Sequence, residues 1–193
     1  SCFKNPHGLP LEGHYTTARD LNLIACYAMQ NDAFRQIVGT RYYQPRNWAN
    51  KNKMLKNYEG AVGIKTGYTK QAGRCLVSAA EKKGMTLVCT VLNCSPMYER
   101  SQQLLDEAFA AYENVRILGA DTPVRVKVKG KTEAGYTKED LYYPLLPEEQ
   151  LHLKMEIISR EEMDAMGKND EIIGQIKIYL INRLLFSRNL YKL

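Results

Sequence analysis

The stretch from Ala61 to Leu92 constrains this chain more than any other, because three strand patterns follow one another through turns short enough only for antiparallel neighbours. Val62-Gly63-Ile64-Lys65-Thr66 is rich in β-branched residues, and Leu76-Val77-Ser78-Ala79-Ala80 repeats the pattern after the glycine at 73, so the two strands join at Thr69–Gly73. A Lys83-Gly84 turn then leads into Met85-Thr86-Leu87-Val88-Cys89-Thr90-Val91-Leu92, whose almost unbroken apolar character predicts a buried strand. Lys65-Thr66-Gly67 is thereby placed on a strand of an antiparallel sheet.

Helical signals flank that sheet. Thr16 or Thr17 suits the N-cap of a helix reaching about Met29, with Leu21, Ile24, Ala25, Ala28 and Met29 on one face. A shorter helix starts at Asp32 and stops at Gly39. From Thr40 to Lys56, a segment containing Trp48, no period emerges, which predicts a loop or hairpin region. Ser95-Pro96 reads as a helix start, Ser as cap and Pro in the first turn, with Met97, Leu104, Leu105, Ala108, Phe109 and Tyr112 facing inward.

Near Val115 the pattern changes to short strands punctuated by Gly and Pro. Val124, Val126 and Val128 alternate, as do Leu151, Leu153, Met155 and Ile157, and again Ile176, Ile178 and Leu180; Asn182-Arg183 is placed to turn the last of these into a hairpin with Leu184–Leu190. The expected class is α+β: an antiparallel sheet flanked by helices over residues 1–114, then a small all-β sandwich over 115–193.

The 193 residues suffice to bury a core as one large domain or two small ones. The net charge of +6 permits attraction to anionic polymers, yet the basic residues alternate with apolar ones, as in Val124-Arg125-Val126-Lys127, and mark a solvated strand face. No cluster of aromatic and basic residues suggests a nucleic-acid surface, so no nucleic-acid partner is expected. Cys2, Cys26, Cys75, Cys89 and Cys94 are odd in number and lack CxxC spacing; buried free thiols fit them better than metal ligands or a disulfide framework. His7, His14 and His152 also lack ligand spacing, and neither metal nor cofactor is expected.

Lys65-Thr66-Gly67 is the third motif of penicillin-recognising serine enzymes, and other blocks fall around it in order. They are Phe3-Lys4-Asn5-Pro6-His7-Gly8-Leu9, Gly13-His14-Tyr15-Thr16-Thr17-Ala18-Arg19-Asp20-Leu21, Gly63 to Thr69, Ala72-Gly73, and Arg100 with Leu104-Leu105-Asp106 and Phe109. In these the chain resembles the low-molecular-mass penicillin-binding proteins that are D-alanyl-D-alanine carboxypeptidases, closely over residues 1–114 and loosely beyond. That resemblance implies the C-terminal portion of a serine peptidase domain, of the β-lactamase and transpeptidase fold, followed by a β-rich stalk. Ala165-Met166 departs from it, since Ala-Pro is usual in the family there.

By the same resemblance, Lys65 supplies positive potential, the Thr66 hydroxyl binds the substrate carboxylate, Gly67 lets a peptide lie against the strand, and the Tyr68 N–H is an oxyanion-hole donor. Arg100 matches the arginine that holds the terminal carboxylate, a job suited to a planar bidentate donor, with a solvated helix arginine as the alternative. The implied reaction is removal of the terminal D-Ala from peptidoglycan stem peptides ending in D-Ala-D-Ala, with β-lactams as inhibitors of the intact enzyme. Two motifs are wanting. Ser1-Cys2-Phe3-Lys4 has Ser-x-x-Lys spacing, but that works on a helix, and the proline at 6 opposes one. Ser187-Arg188-Asn189 has Ser-x-Asn spacing at the wrong end of the chain, and Ser78, Ser95, Ser101 and Ser159 have no Lys three residues on. The chain is therefore expected to be an inactive portion of a longer exported cell-envelope enzyme, lacking about a hundred residues, with its signal peptide upstream of Ser1 and any membrane association through other segments. The alternatives are a non-catalytic cell-wall or β-lactam-binding scaffold and, less well matched to a β-rich C-terminal region, a class A β-lactamase.

Overall fold

The computed structural model describes residues 1–163 and 171–192, and the Ala165-Met166 departure lies outside them. Two compact units divide at Ala111 and Tyr112.

In the first unit, α1 (Ala18–Ala28) is capped by Thr17, whose hydroxyl accepts the Asp20 N–H at 3.1 Å, and α2 (Asp32–Gly39) by Asn31, whose side chain accepts the Phe34 N–H at 3.0 Å. Ala25 and Met29 turn inward as expected. Ile24 does not; it is 49% exposed, because the sheet covers only a narrow stripe of α1. The segment without a period forms a hairpin of β1 (Tyr42–Tyr43) and β2 (Trp48–Ala49) around a 3₁₀ turn, followed by the four-residue helix α3 (Met54–Asn57). Arg46 lies over the Trp48 ring, 5.3 Å from its centroid.

The three strands form as expected: β3 (Ala61–Thr69), β4 (Gly73–Lys82) and β5 (Met85–Val91) make an antiparallel sheet with β4 in the centre. α2 and α3 pack on β3, while α1 and α4 (Met97–Ala111) pack on β4 and β5. Pro96, not Ser95, holds the capping position of α4; its carbonyl accepts the Arg100 N–H at 3.2 Å, and helical residues start only at Met97. Met97, Ser101, Leu105 and Phe109, one per turn, form the buried stripe of α4. Ser101 lies against Cys89 of β5, and burial pushes that thiol's pKa up.

The second unit is β-rich. Its strands are β6 (Glu113–Leu118), β7 (Val124–Val128), β8 (Lys131–Gly135), β9 (Leu141–Leu145), β10 (Leu153–Ser159), β11 (Ile172–Leu180) and β12 (Arg183–Tyr191). They pair as β6-β9, β7-β8 and β10-β11-β12, all antiparallel, around a core of Leu118, Val124, Val126, Leu141, Ile173, Ile176, Ile178 and Leu190. Two expectations need correction. Leu151 belongs to a 3₁₀ helix, Pro147–His152, so its strand starts at Leu153, and the final hairpin turns at Ile181-Asn182 rather than Asn182-Arg183. Ile181 has φ of 56°, a left-handed conformation that β-branched residues resist, which is why composition pointed to its neighbour.

Arg116 of β6 joins the loops of this unit, donating to Asp140 at 2.8 and 3.0 Å and to Asp121 at 2.7 Å. The Arg116 bonds to Asp140, then the Ala120 N–H, hold the Asp140 carboxyl below the ordinary range. A carboxyl lowered in the folded state contributes stability above its unfolded pKa and loses it as the pH falls through the lowered value. Acid titration of unfolding should therefore show a shallower loss of stability in Asp140→Asn than in the unaltered chain.

Candidate active site

β3 is an edge strand, paired to β4 on one side and to no strand on the other among the described residues. Its first half is buried under α2 and α3. Its second half emerges: Lys65, Gly67 and Tyr68 are exposed, Tyr68 by 68%, and Thr66 is half-buried. Lys65, Thr66, Gly67 and Tyr68 thus share one stretch of open edge. The Lys65 ammonium donates to the Thr66 carbonyl, which keeps the cation beside the strand.

The hairpin after β3 fixes the end of this edge. Thr69 Oγ1 accepts the Ala72 N–H at 2.9 Å, and Gly73, at φ of 67°, closes the turn against Asn93. A Cβ at Gly73 would stand 2.1 Å from Asn93 Oδ1, so both the conformation and the contact require glycine. Across the ladder, Tyr68 pairs with Arg74, whose guanidinium lies 5.7 Å from the Tyr68 ring centroid, and Gly67 pairs with Cys75. Arg74 is a cation that sequence reasoning missed, because only the strand register sets it beside Tyr68.

Gly67 differs from Gly73. A Cβ there would meet only Cys75 Cβ at 3.8 Å, an ordinary contact, so nothing among the described residues demands glycine. Gly67→Ala is expected to change the stability by no more than about 0.5 kcal/mol in denaturant titration. Any large functional cost of that variant then arises from what lies against the strand.

Arg100 is exposed on α4 and donates to Gln103 Oε1 at 2.9 Å. Its helix packs on β4 and β5, and no hydrogen bond joins it to Lys65 or Thr66 among the described residues. Ser1 is not on a helix. Cys2 pairs with Tyr15, the Ser1 hydroxyl meets Asp20 Oδ2 at 2.5 Å, and the Lys4 N–H goes to His14 Nδ1, so the geometry of a serine one helical turn from a lysine is absent there. Ser187 and Asn189 face Lys177 and Gln175 across β11 in the second unit. Ser78 is fully buried, its hydroxyl 3.5 Å from the Cys89 carbonyl.

Comparison with known proteins matches both stretches of the chain to described families. Residues 1–95 match the family model of D-alanyl-D-alanine carboxypeptidase, and residues 112–193 match that of the penicillin-binding protein 5 C-terminal domain. The D-alanyl-D-alanine carboxypeptidase DacF of Bacillus subtilis is 37% identical over 67% of this chain and 36% of its own length. DacA of Escherichia coli K12 is 28% identical over 97% of this chain and 50% of its own. The chain therefore spans half or less of these curated relatives. In fold it is similar to penicillin-binding protein 5 of Haemophilus influenzae, with a TM-score of 0.62 and 24% identity over 98% of this chain and 59% of that one. Two family models in chain order, covering both units, leave a single assignment: the chain belongs to the D-alanyl-D-alanine carboxypeptidase family of low-molecular-mass penicillin-binding proteins, a family of serine hydrolases.

Proposed function

We propose that this chain forms the substrate-facing wall of a serine-type D-Ala-D-Ala carboxypeptidase, which removes the terminal D-Ala of peptidoglycan stem peptides outside the cytoplasm and is inhibited by β-lactams. Residues 1–114 are the C-terminal part of its peptidase domain and 115–193 its β-rich stalk. The observation that carries this reading is the free edge of β3, with Lys65, Gly67 and Tyr68 exposed and Thr66 half-buried along it. An extended peptide adds to such an edge through main-chain hydrogen bonds.

In this assignment Gly67 leaves room for the peptide backbone, and the Thr66 hydroxyl donates to the substrate carboxylate. Lys65 and Arg100 supply positive charge, Arg100 by exchanging Gln103 for that carboxylate. The Tyr68 N–H stabilises the oxyanion formed when a serine attacks the scissile carbonyl. That serine and its lysine base come from polypeptide other than these residues, because no Ser-x-x-Lys here lies on a helix among the described residues.

Incubation with a fluorescent penicillin tests the assignment. The chain alone is expected to remain unlabelled, and to become labelled when supplied with the segment of a family relative that carries Ser-x-x-Lys and Ser-x-Asn. Covalent labelling of the chain alone would refute the division of parts. Binding of a D-Ala-D-Ala peptide without labelling in the combined sample would favour a non-catalytic cell-wall scaffold, a reading supported by the same missing serine.

A further inference from the structure

We infer that the outer edge of β10 is a self-association site, where a second copy of this chain adds its own β10 antiparallel about Met155. β10 ends the three-stranded sheet, and no strand pairs with its outer side among the described residues. Such edges are ordinarily blunted by a bulge, a proline or a charge set against pairing. β10 has no proline, and it pairs with β11 from Leu153 to Ser159 without a register shift.

Its apolar face is open at Met155 and Ile157, while Leu153 packs against the core and β7 lies against the strand. Met155 and Ile157 stand opposite Ile178 and Ile176, which are fully buried, yet they are themselves 50% and 43% exposed. A strand added alongside them would extend the apolar stripe of the sheet. On the opposite face Glu156 accepts the Tyr179 hydroxyl at 2.9 Å, so its carboxylate is already held in place.

The edge is complementary to its own reverse. With Met155 against its symmetry mate, Lys154 falls opposite Glu156 of the partner subunit, and Glu156 opposite Lys154 of the partner subunit. Leu153 and Ile157 likewise meet across the axis, so charges pair on one face and apolar side chains on the other. Centring the pairing one residue to either side would set Lys154 or Glu156 against its own copy. A two-fold axis repeats each favourable pair, which is why a second copy fits this edge better than an unrelated strand.

Sedimentation equilibrium of the full chain over a concentration series tests this. A dimer is expected, its dissociation constant raised about tenfold by Lys154→Glu and equally by Glu156→Lys, since each turns two attractive pairs into repulsive ones. The double variant, Lys154→Glu with Glu156→Lys, should return it to near the original value. Tyr179→Phe, which removes only the bond within one chain, should leave it unchanged, and melting curves check that each variant remains folded. A chain that stays monomeric, a dimer indifferent to the single reversals, or a double variant that fails to recover would each overturn the inference.

Discussion

Lys65→Ala is expected to slow covalent capture of a fluorescent penicillin by about 10²–10³-fold when the chain is combined with the nucleophile-bearing segment of a family relative. The Lys65 ammonium is exposed and held beside the strand by the Thr66 carbonyl, so it contributes a fixed charge where the anionic substrate and the developing oxyanion are proposed to lie. Among the described residues no ion pair involves that charge. The same variant should therefore unfold within about 0.5 kcal/mol of the original, as exposed substitutions commonly do. Lys65→Arg keeps the charge but spreads it over a planar group with different geometry, and should recover only part of the rate. Labelling of Lys65→Ala at the unaltered rate would remove Lys65 from the site.

Leu76→Ala should produce the largest loss of stability, about 3 kcal/mol, as expected for a buried leucine cut back in a packed core. Leu76 is fully buried on the central strand β4, with Thr66 on one side and Val91 on the other. Truncation there leaves a cavity beneath the exposed half of β3. Urea titration followed by the fluorescence of the first unit measures the loss, and Leu76→Ile, which conserves volume, should cost less than about 1.5 kcal/mol. The two variants separate the roles of the sheet: one removes chemistry from an intact edge, the other removes the support of that edge.

Local signals were legible at several places where a few adjacent residues decide the outcome, though not at the start of α4 or at the final hairpin turn. Asp32 and Gly39 bound α2 as the sequence indicates, and Thr17 caps α1 through its own side chain. The strands β3 to β5 were readable because their turns are short, β3 and β4 carry strand-favouring runs and β5 is almost continuously apolar. Four-residue α3 was not, since one turn has no period to detect. Ser101 and Ser78 are fully buried although polar, a result of the close packing of α4 on β4 and β5 that an apolar inventory misses.

The candidate site divides in the same way. Lys65 to Tyr68 are consecutive, so finding the strand found them together. Arg74 reaches Tyr68 only through the register of two strands, and the Arg100 bond to Gln103 depends on helix phase. Both are consequences of assembly, which no short window of sequence contains.

Cys89, under α4 with its thiol kept protonated by burial, makes the first unit a reporter of its own opening. Alkylating reagents attack thiolates, so this sulfur reacts only after α4 has lifted and the group has met water. Only Cys89 is the buried thiol the sequence suggested; Cys26 is exposed on α1 and, although partial burial also pushes its pKa up, it reacts without that step. The ratio of the two modification rates thus becomes a clock for the separation of α4 from the sheet, readable by mass spectrometry under native conditions and without denaturant.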